Sequence, residues 1–303
     1  MQLSVIIVDY ESGDYLSRCI RSLDEDLRQE LCEVIIIDNS TRQASRESLS
    51  ELELALPNGI ERVEIIESSV NQGFAKACNQ GAQRAKGEYL LFLNPDSEVK
   101  EGSLEKLIHK AQELPDFGLG GPLIRESFGG VQASARKFPG AKTVFFGRSS
   151  LLSKFFPNNP YSREELKSSK LEDQEEANPV DWVSGAALLV KRDVFFQLQG
   201  FDEHYFMYWE DADLCFRAAK AKHKCYYIKT AEVVHHQGVC SDRSLWTSLF
   251  EFHRSVFYYY CKHVESRNLA YDFLVLSGLS LRFLLKGLGE LICILWKGRE
   301  RQE

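Results

Sequence analysis

Residues 89–96 read Tyr-Leu-Leu-Phe-Leu-Asn-Pro-Asp, and the reading of the fold starts there. Five apolar residues in an unbroken run predict a strand buried on both faces, as in a parallel sheet. The run stops at Asn94-Pro95, a turn signal that leaves a carboxylate, Asp96, just past the strand end. The same grammar recurs upstream. Val5 to Val8 is apolar and closes on Asp9, Val34 to Ile37 closes on Asp38, and Val63 to Ile66 is a third such run. Between the runs, Leu16, Cys19, Ile20 and Leu23 recur at helical spacing, and Phe74–Ala85 and Leu104–Leu114 read as helices. Strand and helix in alternation predict an α/β fold, with a mainly parallel sheet and helices on both faces. Ligands of such sheets lie outside the carboxyl ends of the strands. Asp9, Asp38 and Asp96 would meet on that edge, where three acids repel one another unless a cation or a donor-rich ligand is present.

Outward from this core the pattern changes. Residues 125–180 hold Gly129-Gly130, Pro139, Pro157, Pro160 and an acidic, serine-rich run from Ser162 to Glu176. This predicts a long surface insertion over the site. The sheet pattern resumes at Ala186–Val190. A helix is expected from Glu210-Asp211 through Lys220, a short strand at Tyr226–Ile228, and an aromatic-rich helical stretch over 244–263. The tail from Leu269 to Trp296 is apolar but interrupted by Asp272, Arg282, Lys286 and Glu290. Those charges argue against a spanning helix. They leave two readings: an interfacial helix with Arg282 and Lys286 reaching toward anionic headgroups, or a helical hairpin packed on the domain or a partner subunit.

Bulk properties narrow the function. The chain has 303 residues, 44% of them hydrophobic and 27% charged, which suits a globular protein with a sizeable core. A net charge of -7 argues against nucleic acid as a partner. Eight cysteines are scattered without a Cys-x-x-Cys pair, as expected of reduced thiols in a cytoplasmic protein. The start, Met1-Gln2-Leu3-Ser4, has no basic region, so no signal peptide is expected. A Gly-x-Gly-x-x-Gly fingerprint and a Walker A sequence are both missing, which disfavours dinucleotide oxidoreductases and P-loop enzymes.

Several clusters could carry chemistry. Asp96 can hold a hard divalent cation together with a diphosphate, or simply form a turn. Asp38 can accept hydrogen bonds from a base or ribose, or cap a turn. Asn71-Gln72-Gly73-Phe74-Ala75 opens a helix after a strand, where Gly73 would let the backbone approach a ligand and the helix start would favour an anion. Glu210 and Asp211 stand beside Tyr208 and Trp209, an apolar setting that raises a carboxylate's pKa and suits general-base work. Adjacent helix positions diverge by about 100°, so the two acids cannot share one role. Asp213 and Arg217 read equally well as an i,i+4 ion pair. His235 or His236 could be a metal ligand, although a histidine pair is more often structural.

In this order, the pieces resemble the family 2 glycosyltransferases of the GT-A fold, especially the bacterial rhamnosyltransferase-like branch. The resemblance covers roughly residues 3–265. It is carried by Ser4–Tyr10, Val34–Ser40, Asn71–Ala75, Leu93–Glu98, Asp181–Ala186, Gly200–Glu203, Phe206–Leu214 and His235. It implies a Rossmann-like GT-A domain over 1–265, with a nucleotide-sugar half (about 1–124), a variable loop (about 125–180), an acceptor half (about 181–242), and an apolar helical tail over 266–303. It also implies roles. Asp9, Tyr10, Asp38, Asn71, Gly73, Asn94 and Asp96 would face the nucleotide sugar. Asn94 stands at the usual first acid of the D-x-D motif and Asp96 at its last, so Mg2+ or Mn2+ would rest on Asp96 with help from His235. Asp211 would be the general base, with Glu210 beside it, and Trp182, Gly185 and Ala186 would form the acceptor wall. Asp9 stands where the family more often has Asn or Thr. The implied reaction is inverting transfer of a sugar, such as rhamnose, from a TDP-, UDP- or GDP-sugar to a glycan or lipid-linked acceptor at the inner face of the plasma membrane. The competing readings are a nucleotidyltransferase, a sugar-nucleotide-binding protein without catalysis, and a membrane-surface scaffold. The acidic loop Tyr10–Asp14 argues against the nucleotidyltransferase.

Overall fold

The computed structural model describes residues 2–26, 32–41, 60–138, 175–236, 245–265 and 267–300. In chain order the elements are β1 (Leu3–Asp9), α1 (Asp14–Asp26), β2 (Cys32–Asp38), β3 (Ile60–Glu67), α2 (Phe74–Arg84), β4 (Tyr89–Leu93), β5 (Ser97–Val99), α3 (Ser103–Glu113) and β6 (Phe117–Glu126). They continue with β7 (Ala135–Arg136), β8 (Ala177–Val180), β9 (Trp182–Val183), β10 (Ala187–Lys191), α4 (Arg192–Gln197), α5 (Glu210–Lys220), β11 (Lys224–His235), α6 (Leu245–His263) and α7 (Leu269–Glu300). Most of the insertion expected over 125–180 lies outside the described residues, but its first and last parts are ordered strands.

Among the described residues one sheet runs β3-β2-β1-β4-β10-β6-β11-β5, with β8 also on β11, and β7 pairs with β9 separately. The apolar runs of β1, β2 and β4 are buried throughout, as their lack of alternation demands. β1, β2, β3 and β4 pair in parallel, and so do β6 and β11. β10, β5 and β8 enter antiparallel. These reversals assemble the site. Asp9 stands opposite Asp38 at the carboxyl ends of β1 and β2. β10 starts where β4 stops, with Ala187 opposite Leu93, so the segment before β10 is delivered to the same edge. β11 is one long irregular strand where a short strand at Tyr226–Ile228 was expected, and its end pairs His235 with Ser97, beside Asp96. Cys19, Cys32, Cys78, Cys215 and Cys225 are unbridged and buried, and Cys261 is unbridged and partly buried.

The described residues fall into two compact units. The sheet and helices α1 to α5 belong to the first. Met207–Trp209, α6 and α7 belong to the second. In the second unit Val256, Tyr260, Val275 and Leu279 form a small core. Trp209 packs on Tyr259 with ring centroids 5.1 Å apart, and Ser255 donates to the Met207 carbonyl at 3.0 Å. Tyr208 and Trp209 adopt left-handed φ values of 68° and 72°. Such backbone costs roughly 1–3 kcal/mol per residue, so these packing contacts must hold it.

The outer face of α7 is apolar. Leu269, Phe273, Leu276, Leu281, Leu284 and Leu288 are exposed. Two of its charges are engaged within this unit: Asp272 pairs with Arg267 at 2.9 Å, and the Arg282 guanidinium lies 5.0 Å from the Phe252 ring centroid. Arg282 therefore packs on α6 in this structure, where the sequence suggested a reach toward headgroups. Among the described residues no helix is long and apolar enough to cross a membrane.

Candidate active site

The strand-end residues form two linked groups. In the first, Asp9 accepts hydrogen bonds from the Ser12 N–H and hydroxyl and from the Ser40 hydroxyl at 3.2 Å. Burial raises its pKa, these hydrogen bonds oppose the rise, and the Asp38 charge adds to it. Asp9 thus ties the loop after β1 to the loop after β2. Half-buried Tyr10 lies on the first of these loops. Asp38 is buried, and its carboxylate accepts the Ser40 N–H at 2.7 Å. Asn39, not singled out from the sequence, donates to the Gly73 carbonyl at 3.2 Å and so adds the start of α2 to the group.

Gly73 has φ +84°, and a Cβ there would stand 2.5 Å from the Phe206 carbonyl oxygen. That oxygen accepts the Phe74 N–H, one of the donors at the helix start, at 2.6 Å. Asn71 accepts the Gly73 N–H at 3.0 Å. Gly73 thus allows a close approach of the Phe206 backbone of the chain itself.

The second group surrounds Asp96. Its carboxylate lies 3.2 Å from His235 Nε2, and the Asn94 amide lies 3.3 Å from the same nitrogen. His235 Nδ1 is 3.0 Å from the Gln132 side-chain oxygen. With Nδ1–H donated to that oxygen, Nε2 carries a lone pair directed at Asp96 and Asn94. A carboxylate and an imidazole lone pair facing each other suit a divalent cation, and the hydrogen bond from the other ring nitrogen is the usual support of a metal-binding histidine. Among the described residues no three His, Cys, Asp or Glu side chains cluster to hold a metal, so phosphate and water oxygens would complete the shell. His236 is excluded from this role. It bonds Glu98 at 2.8 Å and Ser127 at 2.8 Å on the other side of the strand end.

The acids of α5 separate as helix geometry requires. Asp211 accepts the Gly185 N–H at 2.8 Å and the Ala212 N–H at 2.7 Å. Burial raises its pKa, while those two N–H groups and the Arg136 charge pull it back. Glu210 is buried beside Cys78 of α2. Burial holds its pKa well above the usual carboxylate range, and the Asp211 charge pushes it further up. Asp213 and Arg217 form the ion pair, at 2.7 Å, and Arg217 also donates to the Gly200 carbonyl at 2.8 Å. That pair is structural.

The segment before β10 joins the two ends of the site. The Ala186 carbonyl accepts the Asn94 N–H at 3.0 Å, and the neighbouring Gly185 N–H holds Asp211. Trp182, on β9, is half-buried and carries the Arg136 guanidinium 5.1 Å from its ring centroid. Gln132 and Arg136 were hidden in sequence because they fall in the stretch read as an insertion. The alternation of Gln132-Ala133-Ser134-Ala135-Arg136 was the available signal of an ordered, extended segment.

Comparison with known proteins agrees with this geometry. Residues 4–196 match the glycosyl transferase family 2 model. The chain is 32% identical to an N-acetylglucosaminyl-diphospho-decaprenol L-rhamnosyltransferase of Mycobacterium tuberculosis, over 84% of this chain and 82% of that protein. It is 26% identical to the rhamnosyltransferase WbbL of Escherichia coli K12, over 88% of this chain and 96% of that one. In fold it resembles a mannosyltransferase of Pyrobaculum calidifontis solved with GDP-Man and Mn2+, with a TM-score of 0.58, 13% identity and coverage of 99% of this chain and 79% of that one. The chain belongs to glycosyl transferase family 2, and it is a glycosyltransferase of the GT-A fold.

Proposed function

We propose that the enzyme moves rhamnose from a nucleoside-diphosphate sugar, TDP-rhamnose foremost, to a hydroxyl of N-acetylglucosamine carried on a polyprenyl diphosphate, with inversion at the anomeric carbon. The product would enter a cell-surface polysaccharide. The similarity to the two rhamnosyltransferases supports the sugar, and the name of the mycobacterial relative supports the acceptor. One observation carries the chemistry: adjacent residues, Gly185 and Ala186, hold Asp211 on one side and Asn94 of the Asp96–His235 group on the other. Base and diphosphate site are thereby fixed against each other.

Asp211 takes the proton of the acceptor hydroxyl as that oxygen bonds to the anomeric carbon. The bond from that carbon to the phosphate oxygen breaks, and the nucleoside diphosphate leaves with the electron pair. Asp96 and His235 would hold Mg2+ or Mn2+, whose charge stabilises the leaving diphosphate. Gln132 keeps His235 in the tautomer that presents Nε2, and the Asp9–Asp38–Asn39 group forms the floor under the nucleoside. The apolar face of α7, about 30 Å long over twenty residues, would rest in the membrane interface where a polyprenyl-linked acceptor resides.

Thermal stability against TDP-, UDP- and GDP-sugars, with Mg2+ or Mn2+ and with EDTA, tests the donor half. A ligand that binds the folded state raises the melting temperature by mass action. A metal-dependent rise with TDP-rhamnose is expected. No rise with any sugar nucleotide would overturn the assignment of Asp38 and Asp96.

A further inference from the structure

Arg136 is held as a recognition group is held. Its guanidinium stacks on Trp182, and its Nε donates to the Ala133 carbonyl at 3.0 Å. Trp182 is fixed in turn by its own Nε1, which donates to the Lys137 carbonyl at 3.0 Å. Asp181 accepts the Phe138 N–H at 2.8 Å and pins the chain just beyond. A planar guanidinium with its orientation fixed is suited to two-pronged contact with phosphate oxygens.

Its place in the site says which phosphate. Gln132, four residues earlier, supports His235 at the donor-diphosphate end. Arg136 pairs with Trp182 across β7 and β9, three residues before the Gly185 N–H that holds Asp211 at the acceptor end, and its charge acts on that carboxylate. The chain between Gln132 and Arg136 can span at most about 13 Å, so one short segment serves both ends of the site. An acceptor sugar whose hydroxyl meets Asp211 would carry its own diphosphate on the far side of its ring, away from Asp96.

We propose that Arg136, backed by Trp182, binds the diphosphate of the lipid-linked acceptor and so selects acceptors by their phosphate as well as by their sugar. This rests on the acceptor assigned above. Arg136 is then a specificity-determining residue, and the strand pair β7–β9 is the acceptor's docking element.

The test uses two synthetic acceptors with the same short polyprenyl-type chain and the same N-acetylglucosamine, one with a diphosphate link and one a simple glycoside. The wild-type enzyme should prefer the diphosphate acceptor in kcat/KM. Arg136→Ala should lose about 10- to 100-fold on that acceptor, the worth of a charge-assisted hydrogen-bonded contact. On the glycoside, where only its charge near Asp211 is lost, the change should be smaller, and the donor-induced thermal shift should stay. Arg136→Lys, which keeps charge without the fork, should fall between. Equal losses on both acceptors, or no loss on either, would overturn the role of Arg136. A wild-type enzyme that shows no preference, or uses neither acceptor, would instead overturn the acceptor reading, and the proposal with it.

Discussion

Asp211 takes both of its fixed hydrogen bonds from backbone N–H groups, which hold the carboxylate in place. Asp211→Asn keeps the shape and removes the base. Transfer should fall by about 10² to 10⁴, while the donor-induced thermal shift stays. A variant with wild-type turnover would refute the assignment. The raised pKa also fixes a pH profile. Glu210 is its neighbour on α5, the Arg136 charge acts on it from β7, and burial is the largest influence. A protonated carboxyl cannot take a proton, so kcat/KM should fall on the acid side with a midpoint above the ordinary Asp range; a lower midpoint would contradict the burial argument. Glu210 predicts a stability effect. Its folded pKa is raised, so the unfolded chain ionises first and stability drops as pH rises from the unfolded pKa through the folded one. Glu210→Gln removes that loss. Its melting temperature relative to wild type should be higher at pH 8 than at pH 4, and an equal difference at both would show that Glu210 is not buried as a neutral acid. At this scale the sequence was legible where chemistry is local: the Asp211 motif, the Asp96 turn and the Asp213–Arg217 pair. Local pattern left His235 and His236 open, and only the resemblance named His235, because strand pairing with β5 decides which one meets Asp96.

The start of α2 shows how an element constrains the site. Gly73 combines a left-handed φ with a backbone contact that no side chain fits. Gly73→Ala should destabilise the fold by about 2–4 kcal/mol, read as a lower midpoint of chemical denaturation. An unchanged midpoint would mean that the Phe206 contact is not built as described. Buried runs without alternation made β1, β2 and β4 readable. Strand direction was not readable, because no local pattern records whether a chain enters a sheet parallel or antiparallel. β10 and β5 depend on long-range pairing, and Gly185 and Ala186 reach the strand ends only through the reversal of β10. The same holds for β7: Gly, Pro and Ser in the surrounding stretch masked two residues of strand that carry Arg136.

At the scale of the molecule, α7 offers an apolar face while Asp272 is paired with Arg267 and Arg282 packs on Phe252. The sequence showed both the apolar content and the charges but not their segregation, which follows from packing of Val275 and Leu279 in the second unit. If the face meets lipid, Leu281→Glu with Leu284→Glu should abolish flotation with anionic vesicles while leaving the activity on a short, soluble acceptor. Flotation equal to wild type would assign the face to another partner. The central claim is transfer of rhamnose to a diphosphate-linked amino sugar with Asp211 as base. Its most direct test is mass spectrometry of the product from TDP-rhamnose, Mg2+ and a short-chain diphospho-N-acetylglucosamine acceptor, with wild type and Asp211→Asn in parallel. One added deoxyhexose is expected with wild type, at least about a hundredfold less with the variant, and none with EDTA. An unmodified acceptor with wild type, or equal product from the variant, would contradict it.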